Sequence, residues 1–290
     1  MAAEGVKYPG TAKPVKDVEI HQPRQRCSHL NILNKLRRRK TPDNHVELFH
    51  WQPKSGAQNF GDHLSHVVVS QYLARRELLL DETVATHRRL LAVGSILHFA
   101  RDHDVIWGSG INGKVDENKH QFRHLDVRAV RGPLTRNYLM QRGINVPEVY
   151  GDPVLLLPTL FPTRFRKSPK REYAFVPNLH DLSMPVNGCH VISPLLPWNK
   201  VVEEILQCEF VMSSSLHGLI VAEAFGIPAC YVRLSETEAM FKFEDYYQGT
   251  GRSGIHVASN FAEARSAGGA PGFTYNPQPL MDAFPIDLWS

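Results

Sequence analysis

Short apolar runs alternate with helical patterns along most of the chain. Residues 46–51, 90–95 and 104–110 have the apolar character of buried strands. Apolar spacing predicts a helix over residues 62–76, with Asp62 as its N-cap. Strands that alternate with helices and end in glycine beside a polar residue are typical of a parallel sheet. We therefore predict the α/β fold class.

Proline and charge interrupt this alternation at residues 161–170. The interruption predicts an N-terminal α/β domain over residues 45–163 and a C-terminal α/β domain over residues 171–275. Two such halves, facing a cleft, bind ligands at the carboxyl ends of their strands. Residues 276–290 are expected to form a C-terminal tail, and whether it returns to the N-terminal domain is left open.

Residues 1–44 have little periodicity and are expected to form a mobile basic arm. Seven lysines and arginines lie between Arg24 and Lys40. One interpretation is attachment to anionic lipid at the inner face of the cytoplasmic membrane. The other is an ordinary solvated basic tail.

The stretch 213–228 carries the strongest chemical signal. A buried strand ends in Ser213, Ser214 and Ser215, and an apolar helix follows that Gly226 stops. A strand, a polar turn and a helix in this order leave free backbone N–H groups that favour an anion. His217 falls in the first turn of that helix, where a bound phosphate would contact it. The competing interpretation is a capping serine followed by a histidine that only packs.

Composition excludes several classes of protein. The chain has 290 residues and 42% hydrophobic residues, enough for a sizeable core, and its net charge of +4 does not argue for nucleic acid. There is no apolar run of membrane-helix length, and the first residues lack a signal-peptide layout. The four scattered cysteines are typical of a reduced, cytoplasmic protein. The pairs His63/His66 and His120/His124 lack a third ligand, so no metal site is expected.

Six motifs in order resemble the polysaccharide pyruvyltransferases. They are residues 59–62, 94–96, 105–110, 130–133, 151–153 and 213–218, and residues 107–113, 126–132 and 246–252 resemble the xanthan-type members of that family in particular. The resemblance implies two Rossmann-like domains in a GT-B-like arrangement. It also implies transfer of pyruvate from phosphoenolpyruvate, as a 4,6-ketal, onto a terminal sugar of a lipid-linked exopolysaccharide repeat, with mannose the expected sugar. Phosphoenolpyruvate is then a co-substrate, and no cofactor or metal is expected.

The same resemblance makes the histidine of the Leu-His motif essential, and it maps to His217, which we expect to be the general acid. Some members carry arginine where this chain has Ser215. Arg131, at a strand end, is expected to bind a carboxylate or phosphate, with a salt bridge across the cleft as the alternative. Asp62 is expected to orient or deprotonate a hydroxyl, or else to cap a helix. The further donor-side candidates are Ser213, Ser214, Ser215, Leu216, Gly218 and Arg252, and the acceptor-side candidates are Asn59, Gly61, Ser95, Ser109 and Asp152.

Two other functions compete with this hypothesis. A sugar-nucleotide glycosyltransferase of GT-B fold would use a similar helix to bind its donor. A non-catalytic glycan-binding subunit would consume no donor, and His217 would then be dispensable.

Overall fold

A computed structural model describes residues 44–52, 56, 58–186, 188–270 and 272–290. The predicted basic arm at residues 1–44 lies outside this part of the chain, except for Asn44, and stays a prediction. Asn44 is tied to the fold, since its side-chain amide donates to the carbonyl of Ala85 at 3.2 Å.

Two parallel sheets form the framework of the described residues. The first sheet has the order β1-β2-β3-β4, and the second has the order β6-β5-β7-β8-β9. All the strand pairs are parallel, which confirms the predicted α/β class. The strands are β1 (Val46–Phe49), β2 (Arg88–Leu91), β3 (Val105–Trp107), β4 (Asp126–Ala129), β5 (Arg171–Val176), β6 (His190–Val191), β7 (Cys208–Ser213), β8 (Ala229–Val232) and β9 (Val257–Ala258).

Helices connect and cover these strands, as βα units require. They are α1 (Phe60–Ala74), α2 (Pro133–Gln141), α3 (Leu157–Leu160), α4 (Trp198–Ile205), α5 (Leu216–Ala224), α6 (Phe241–Gly249), α7 (Phe261–Ala267) and α8 (Gln278–Asp282). Short 3₁₀ helices lie at Leu97–Phe99, Glu117–Lys119, Pro153–Leu156 and Ile286–Trp289. No helix in this described part is both long and apolar enough to cross a bilayer.

The start of α1 differs from the sequence prediction. Asn59, and not Asp62, is its N-cap: Asn59 has an extended backbone, and its side chain accepts from the N–H of Gly61. The helix therefore begins two residues earlier than predicted, and Asp62 falls within its first turn. That shift frees the Asp62 carboxylate from capping the helix.

One hydrophobic cluster contains buried side chains from both sheets and from their helices, among them Leu64, Leu90, Val211 and Leu219. Two smaller clusters each belong to one sheet, around Ile106 in the first and Met212 in the second. The division into two domains and the cleft between them stay predictions.

The C-terminal residues pack on side chains of the first sheet and α1. Phe284 stacks on Tyr72 with ring centroids 4.0 Å apart and meets Trp107 edge-on at 4.8 Å. The indole N–H of Trp107 donates to the carbonyl of Leu280 at 2.8 Å, and the Tyr72 hydroxyl donates to that of Met281 at 2.5 Å. The tail is thus held by aromatic packing together with hydrogen bonds.

We predict that Phe284→Ala lowers the free energy of unfolding by about 3–5 kcal/mol, because it leaves a cavity between two buried aromatic rings. Ile286→Ala is the matched control from the same tail, since Ile286 is 37% exposed. Its effect should stay within about 1 kcal/mol. Urea unfolding followed by tryptophan fluorescence measures both changes, and equal effects would show that the stacking does not stabilise the tail.

Candidate active site

The turn between β7 and α5 forms one wall of a pocket. Ser215 is the N-cap of α5: its backbone is extended, and its hydroxyl accepts from the N–H of Gly218. A Cβ at Gly218 would lie 2.4 Å from the Ser213 hydroxyl and 2.9 Å from Val176, so only glycine packs there. Gly218 thus brings the first turn of α5 close to the end of β5. The remaining N–H groups of this first turn create a site that favours anions.

The other two serines of the turn hold its shape. The hydroxyl of Ser213 donates to the carbonyl of Val176 at 2.7 Å and accepts from the N–H of Ser215. The hydroxyl of Ser214 accepts from the N–H of Asn178 at 3.0 Å. Both serines are buried, so the prediction that their side chains bind phosphate is not supported. Ser215 and Leu216 do line the pocket.

His217 belongs to the first turn of α5, and its ring lies against the first turn of α1. A Cβ at Gly61 would come within 2.3 Å of its Nδ1, so the ring packs directly on the backbone of α1. Only 12% of the His217 side chain is exposed. Burial, together with the positive charges of Lys242 and Arg131, lowers the pKa of His217 to about 3. The imidazole is therefore neutral at pH 7 in the protein without a ligand.

The pocket beside His217 has a volume of about 230 Å³. Its walls combine charged, amide, imidazole and apolar side chains. The lining residues are Trp51, Asn59, Asp62, Ser95, Ile96, His98, Phe99, Asn112, Lys114, Asn178, Leu179, His180, Pro194, Ser215, Leu216, His217, Glu238 and Lys242. Such a mixture suits a small polar ligand with anionic groups.

Asp62 faces this pocket from the first turn of α1. Burial raises its pKa to about 6, although the amide of Asn59, 2.6 Å away, and the charge of Lys242 oppose the rise. A carboxyl group with this pKa is mostly ionised at pH 7 and can accept a proton without a large penalty. The predicted role of Asp62 in orienting or deprotonating a hydroxyl stays a prediction, and its position is compatible with it.

Two lysines that sequence reasoning missed supply the positive charge of the pocket. The Nζ of Lys114 lies 3.0 Å from one oxygen of Glu238, and Lys242 pairs with the other oxygen. Two cations thus share one carboxylate, which leaves a net positive charge in the wall. No local pattern identifies this cluster, because Lys114 and Glu238 are 124 residues apart in sequence.

Comparison with known proteins identifies the family. The family model for polysaccharide pyruvyl transferase matches residues 59–236, which include the first turns of α1 and α5 beside the pocket. This chain belongs to the polysaccharide pyruvyl transferase family.

Two curated relatives are similar over most of the chain. Succinoglycan biosynthesis protein ExoV of Rhizobium meliloti (strain 1021) is 29% identical over 217 residues, which is 70% of this chain and 64% of that protein. An uncharacterized protein, L143, of Acanthamoeba polyphaga mimivirus is 26% identical over 202 residues, covering 65% of this chain and 69% of that protein. The chain thus spans slightly less than two thirds of the length of the first relative.

Among solved structures, an uncharacterized protein from Klebsiella pneumoniae subsp. pneumoniae NTUH-K2044 superposes with a TM-score of 0.45 at 13% identity. The match covers 75% of this chain and 94% of that chain.

Arg131 is not a pocket residue in this member of the family. Its side chain is fully buried: Nε donates to Asp245 at 3.0 Å, and Nη1 donates to Ser95 at 2.5 Å. Nη2 donates to the carbonyl of Ile111 at 2.8 Å. The structure favours the alternative of a buried salt bridge over the prediction that Arg131 binds a substrate anion. Through Nη1 it also contacts Ser95, which does line the pocket.

Arg252 is also occupied inside the protein. Its two terminal nitrogens donate to the two oxygens of Glu223 at 2.7 and 2.9 Å. The guanidinium also stacks over Tyr247 and Phe273, with its carbon 3.9 and 4.2 Å from the ring centroids. A paired guanidinium covered by aromatic rings has no face left for phosphate. The prediction that Arg252 binds the donor is therefore not supported.

The acceptor-side candidates divide into two groups. Asn59 and Ser95 line the pocket, and Gly61 shapes it by its contact with His217. Ser109 is buried and donates to the carbonyl of Ala92 at 3.0 Å, so the expected contact between Ser109 and a sugar is not supported. Asp152 has no exposed surface and lies behind His217. The expected contact between Asp152 and an acceptor hydroxyl is therefore not supported.

Within the described ranges, no cluster of three or more His, Cys, Asp or Glu side chains has the geometry of a metal site. The rings of His63 and His66 stack with centroids 5.7 Å apart on α1.

We predict that Asp62→Asn stabilises the fold at pH 8 by about 1–3 kcal/mol, because it removes a buried charge. Each unit by which the pKa of Asp62 is higher in the folded than in the unfolded protein destabilises the ionised folded state by about 1.4 kcal/mol. The pKa of Asp62 rises from 3.8 to about 6 on folding, so the stabilisation should develop as the pH rises through this range and vanish below it.

Asp102→Asn is the control of opposite sign. The backbone N–H groups of Arg123 and His124 lower the pKa of the exposed Asp102 carboxyl, so its removal should destabilise the protein above pH 4 and not below. Thermal unfolding across this pH range measures both variants. A pH-independent effect of Asp62→Asn would contradict the raised pKa.

Proposed function

We propose that this protein transfers the pyruvyl group of phosphoenolpyruvate onto two hydroxyls of one sugar of an exopolysaccharide repeat unit, forming a 4,6-ketal and releasing phosphate. The observation that carries the proposal is the position of His217, which lies at a helix N-terminus and lines a pocket with two lysines. Membership of the polysaccharide pyruvyl transferase family supports it.

The donor carries a carboxylate and a phosphate, and the pocket offers groups for both. The first turn of α5 provides backbone N–H groups, and Lys114 and Lys242 provide charge. These lysines take the place that Arg131 and Arg252 were expected to fill. Both lysines bind Glu238, so one of them can pair with an incoming anion while the other still neutralises this buried carboxylate.

His217 is the general acid in this proposal. Ketal formation begins when a proton is added to the methylene carbon of the donor, which leaves a cationic centre at C2 that a hydroxyl attacks. The neutral imidazole of the free protein must first gain a proton. A bound phosphate dianion favours this step because its negative charge raises the pKa of His217. General acid catalysis of this kind is worth about 10²–10⁴-fold.

Asp62 is the proposed base. Its ionised carboxylate accepts the proton of an attacking sugar hydroxyl, and its raised pKa of about 6 makes it a stronger base than an ordinary aspartate. The second hydroxyl closes the ring as phosphate departs. The two hydroxyl protons are balanced by the new methyl hydrogen and by the proton on the released phosphate.

The acceptor side is formed by apolar and amide side chains. Trp51 and Phe99 offer ring faces, and Asn59, Asn112 and Asn178 offer hydrogen-bonding groups. Sugars present both apolar faces and hydroxyls, so these residues suit a pyranose ring. That the sugar is a terminal mannose on a lipid-linked oligosaccharide is part of the proposal.

Attachment to the inner face of the cytoplasmic membrane through the basic arm also remains a proposal, because the arm lies outside the described residues. Binding of anionic vesicles by the full chain, compared with a chain that lacks residues 1–40, checks it.

We predict that the protein, incubated with phosphoenolpyruvate and a mannoside or lipid-linked acceptor, releases phosphate and adds to the acceptor the mass of one pyruvate less one water. His217→Ala should reduce turnover by at least about 10²-fold without unfolding the protein, since the ring is replaced by a smaller side chain next to a pocket. Mass spectrometry and a phosphate assay measure both.

The alternatives give different results in the same assay. A glycosyltransferase would add a sugar from a nucleotide-sugar donor and ignore phosphoenolpyruvate. A non-catalytic subunit would bind glycan and leave the donor intact, with or without His217. Near-normal turnover by His217→Ala would remove this residue from the acid role.

We predict that Lys242→Met weakens binding of phosphoenolpyruvate by about 10–100-fold, because one charge-assisted hydrogen bond is worth about 1.5–3 kcal/mol. Lys200→Met is the control, since Lys200 pairs with Glu203 on the surface of α4, away from the pocket. Calorimetric titration measures the affinity of each variant. Equal affinities for the two variants would place the donor elsewhere.

A further inference from the structure

Two polar atoms behind the pocket lack hydrogen-bond partners. They are Nε2 of His217 and Oδ2 of Asp152, which are buried and 3.8 Å apart. Buried polar groups in folded proteins are nearly always paired, because an unpaired one costs about 1–3 kcal/mol. Two unpaired atoms that face each other at this distance therefore need an explanation. A role in catalysis is one common reason for an unpaired buried polar group.

The fold fixes Asp152 in this position. Its Oδ1 accepts from the N–H of Val154 at 3.0 Å and so caps the 3₁₀ helix Pro153–Leu156. The preceding Gly151 has a φ of +144°, and a Cβ there would lie 2.1 Å from the hydroxyl oxygen of Tyr275. Oδ1 of Asp152 thus accepts a backbone hydrogen bond, and Oδ2 has no hydrogen-bond partner and faces His217.

The opposite edge of the His217 ring is fixed as well. Its Nδ1 lies on the side of Gly61, where no side chain fits. Because Nε2 is buried, the 12% of the side chain that is exposed to the pocket belongs to the rest of the residue. Asp152 has no exposed surface and does not line the pocket, so it meets the imidazole and no substrate.

We propose that Asp152 is a positioning residue for His217. It accepts a hydrogen bond from Nε2–H, so that Nδ1 is the nitrogen that exchanges a proton with the substrate. This inference rests on the proposed function for its catalytic consequence. The partner of one ring nitrogen determines which tautomer is present, and here it places the proton of the neutral ring on Nε2. Distances between such groups are often long without substrate and shorten in the complex.

The carboxylate has an electrostatic role too. Lys242 and Arg131 both disfavour a charged His217, as does burial. Burial raises the pKa of Asp152 to about 6, so this carboxyl is mostly ionised at pH 7. A negative charge behind the ring offsets the two cations when His217 takes up its second proton. Nδ1–H then gives its proton to the methylene carbon, and Asp152 exchanges none with the substrate.

The test is Asp152→Asn. Asparagine keeps an oxygen that can cap the 3₁₀ helix, but its amide would donate to Nε2 and reverse the tautomer. Nitrogen-15 NMR of the imidazoles reports the tautomer, and the His217 signal is identified by its loss in His217→Ala. We expect Nε2–H in the wild-type protein and Nδ1–H in Asp152→Asn. In steady-state kinetics, kcat should fall by about 10²–10⁴-fold with an unchanged KM for phosphoenolpyruvate.

Asp104→Asn is the matched control. Asp104 is also a buried carboxylate, paired with Arg89 at 2.6 Å, and it precedes β3 at the amino end of the strand. Its removal should leave the His217 tautomer unchanged. A merely structural role of Asp152 would likewise lower stability without reversing the tautomer.

Two results would overturn the proposal. One is an Nδ1–H tautomer of His217 in the wild-type protein, a result that does not depend on the folding of Asp152→Asn. The other is an Asp152→Asn protein that keeps both the wild-type tautomer and kcat. If the wild-type protein transfers no pyruvate, the proposed function fails, and the NMR result still decides whether Asp152 positions His217.

Discussion

The contact between Gly61 and His217 is the constraint on which the candidate site depends. It requires the His217 ring, on the first turn of α5, to pack directly on the backbone of Gly61 in the first turn of α1, where any other residue would clash. Once the two turns meet, Asn59 and Asp62 from α1 and Ser215 and His217 from α5 necessarily face the same pocket. The burial that results makes the imidazole neutral and raises the pKa of the Asp62 carboxyl. One close packing contact therefore sets both the geometry and the protonation states of the site.

Two buried ion pairs support the elements around this contact. Arg131 with Asp245 links the end of β4 to α6, and Thr135 of α2 donates to the same carboxylate. Arg252 with Glu223 links the end of α6 to α5. Loss of one partner from such a pair leaves an uncompensated buried charge and costs about 3–5 kcal/mol. Helix α6 is thereby fixed, and α6 is the element that brings Lys242 into the pocket.

The charges in the pocket are balanced among themselves without a ligand. Glu238 neutralises part of the charge of Lys114 and Lys242, and Asp62 lowers it further. Lys114 and Lys242 are the cations that can pair with an anion carrying two charged groups, and the neutral His217 is the group whose charge changes when such an anion binds. The wall of the pocket and its acid are thus coupled electrostatically, without any movement of the backbone being needed.

The sequence by itself determined the local features of this protein. Alternating apolar runs predicted parallel strands because the burial of both faces of a strand is a property of the segment. The serine-rich turn before an apolar helix likewise located His217, since capping depends on a few consecutive residues. The tertiary structure alone decided which charged side chains are available. From the sequence, Arg131 and Arg252 were candidates to bind a substrate anion, with a salt bridge as the alternative for Arg131. Their carboxylate partners are distant in sequence: Asp245 lies 114 residues from Arg131, and Glu223 lies 29 residues from Arg252. Packing of distant segments also determines the positions of Lys114, Lys242 and Asp152 around the pocket. Charge pairing acts through space, so which charges are left for a substrate is fixed only when distant segments pack.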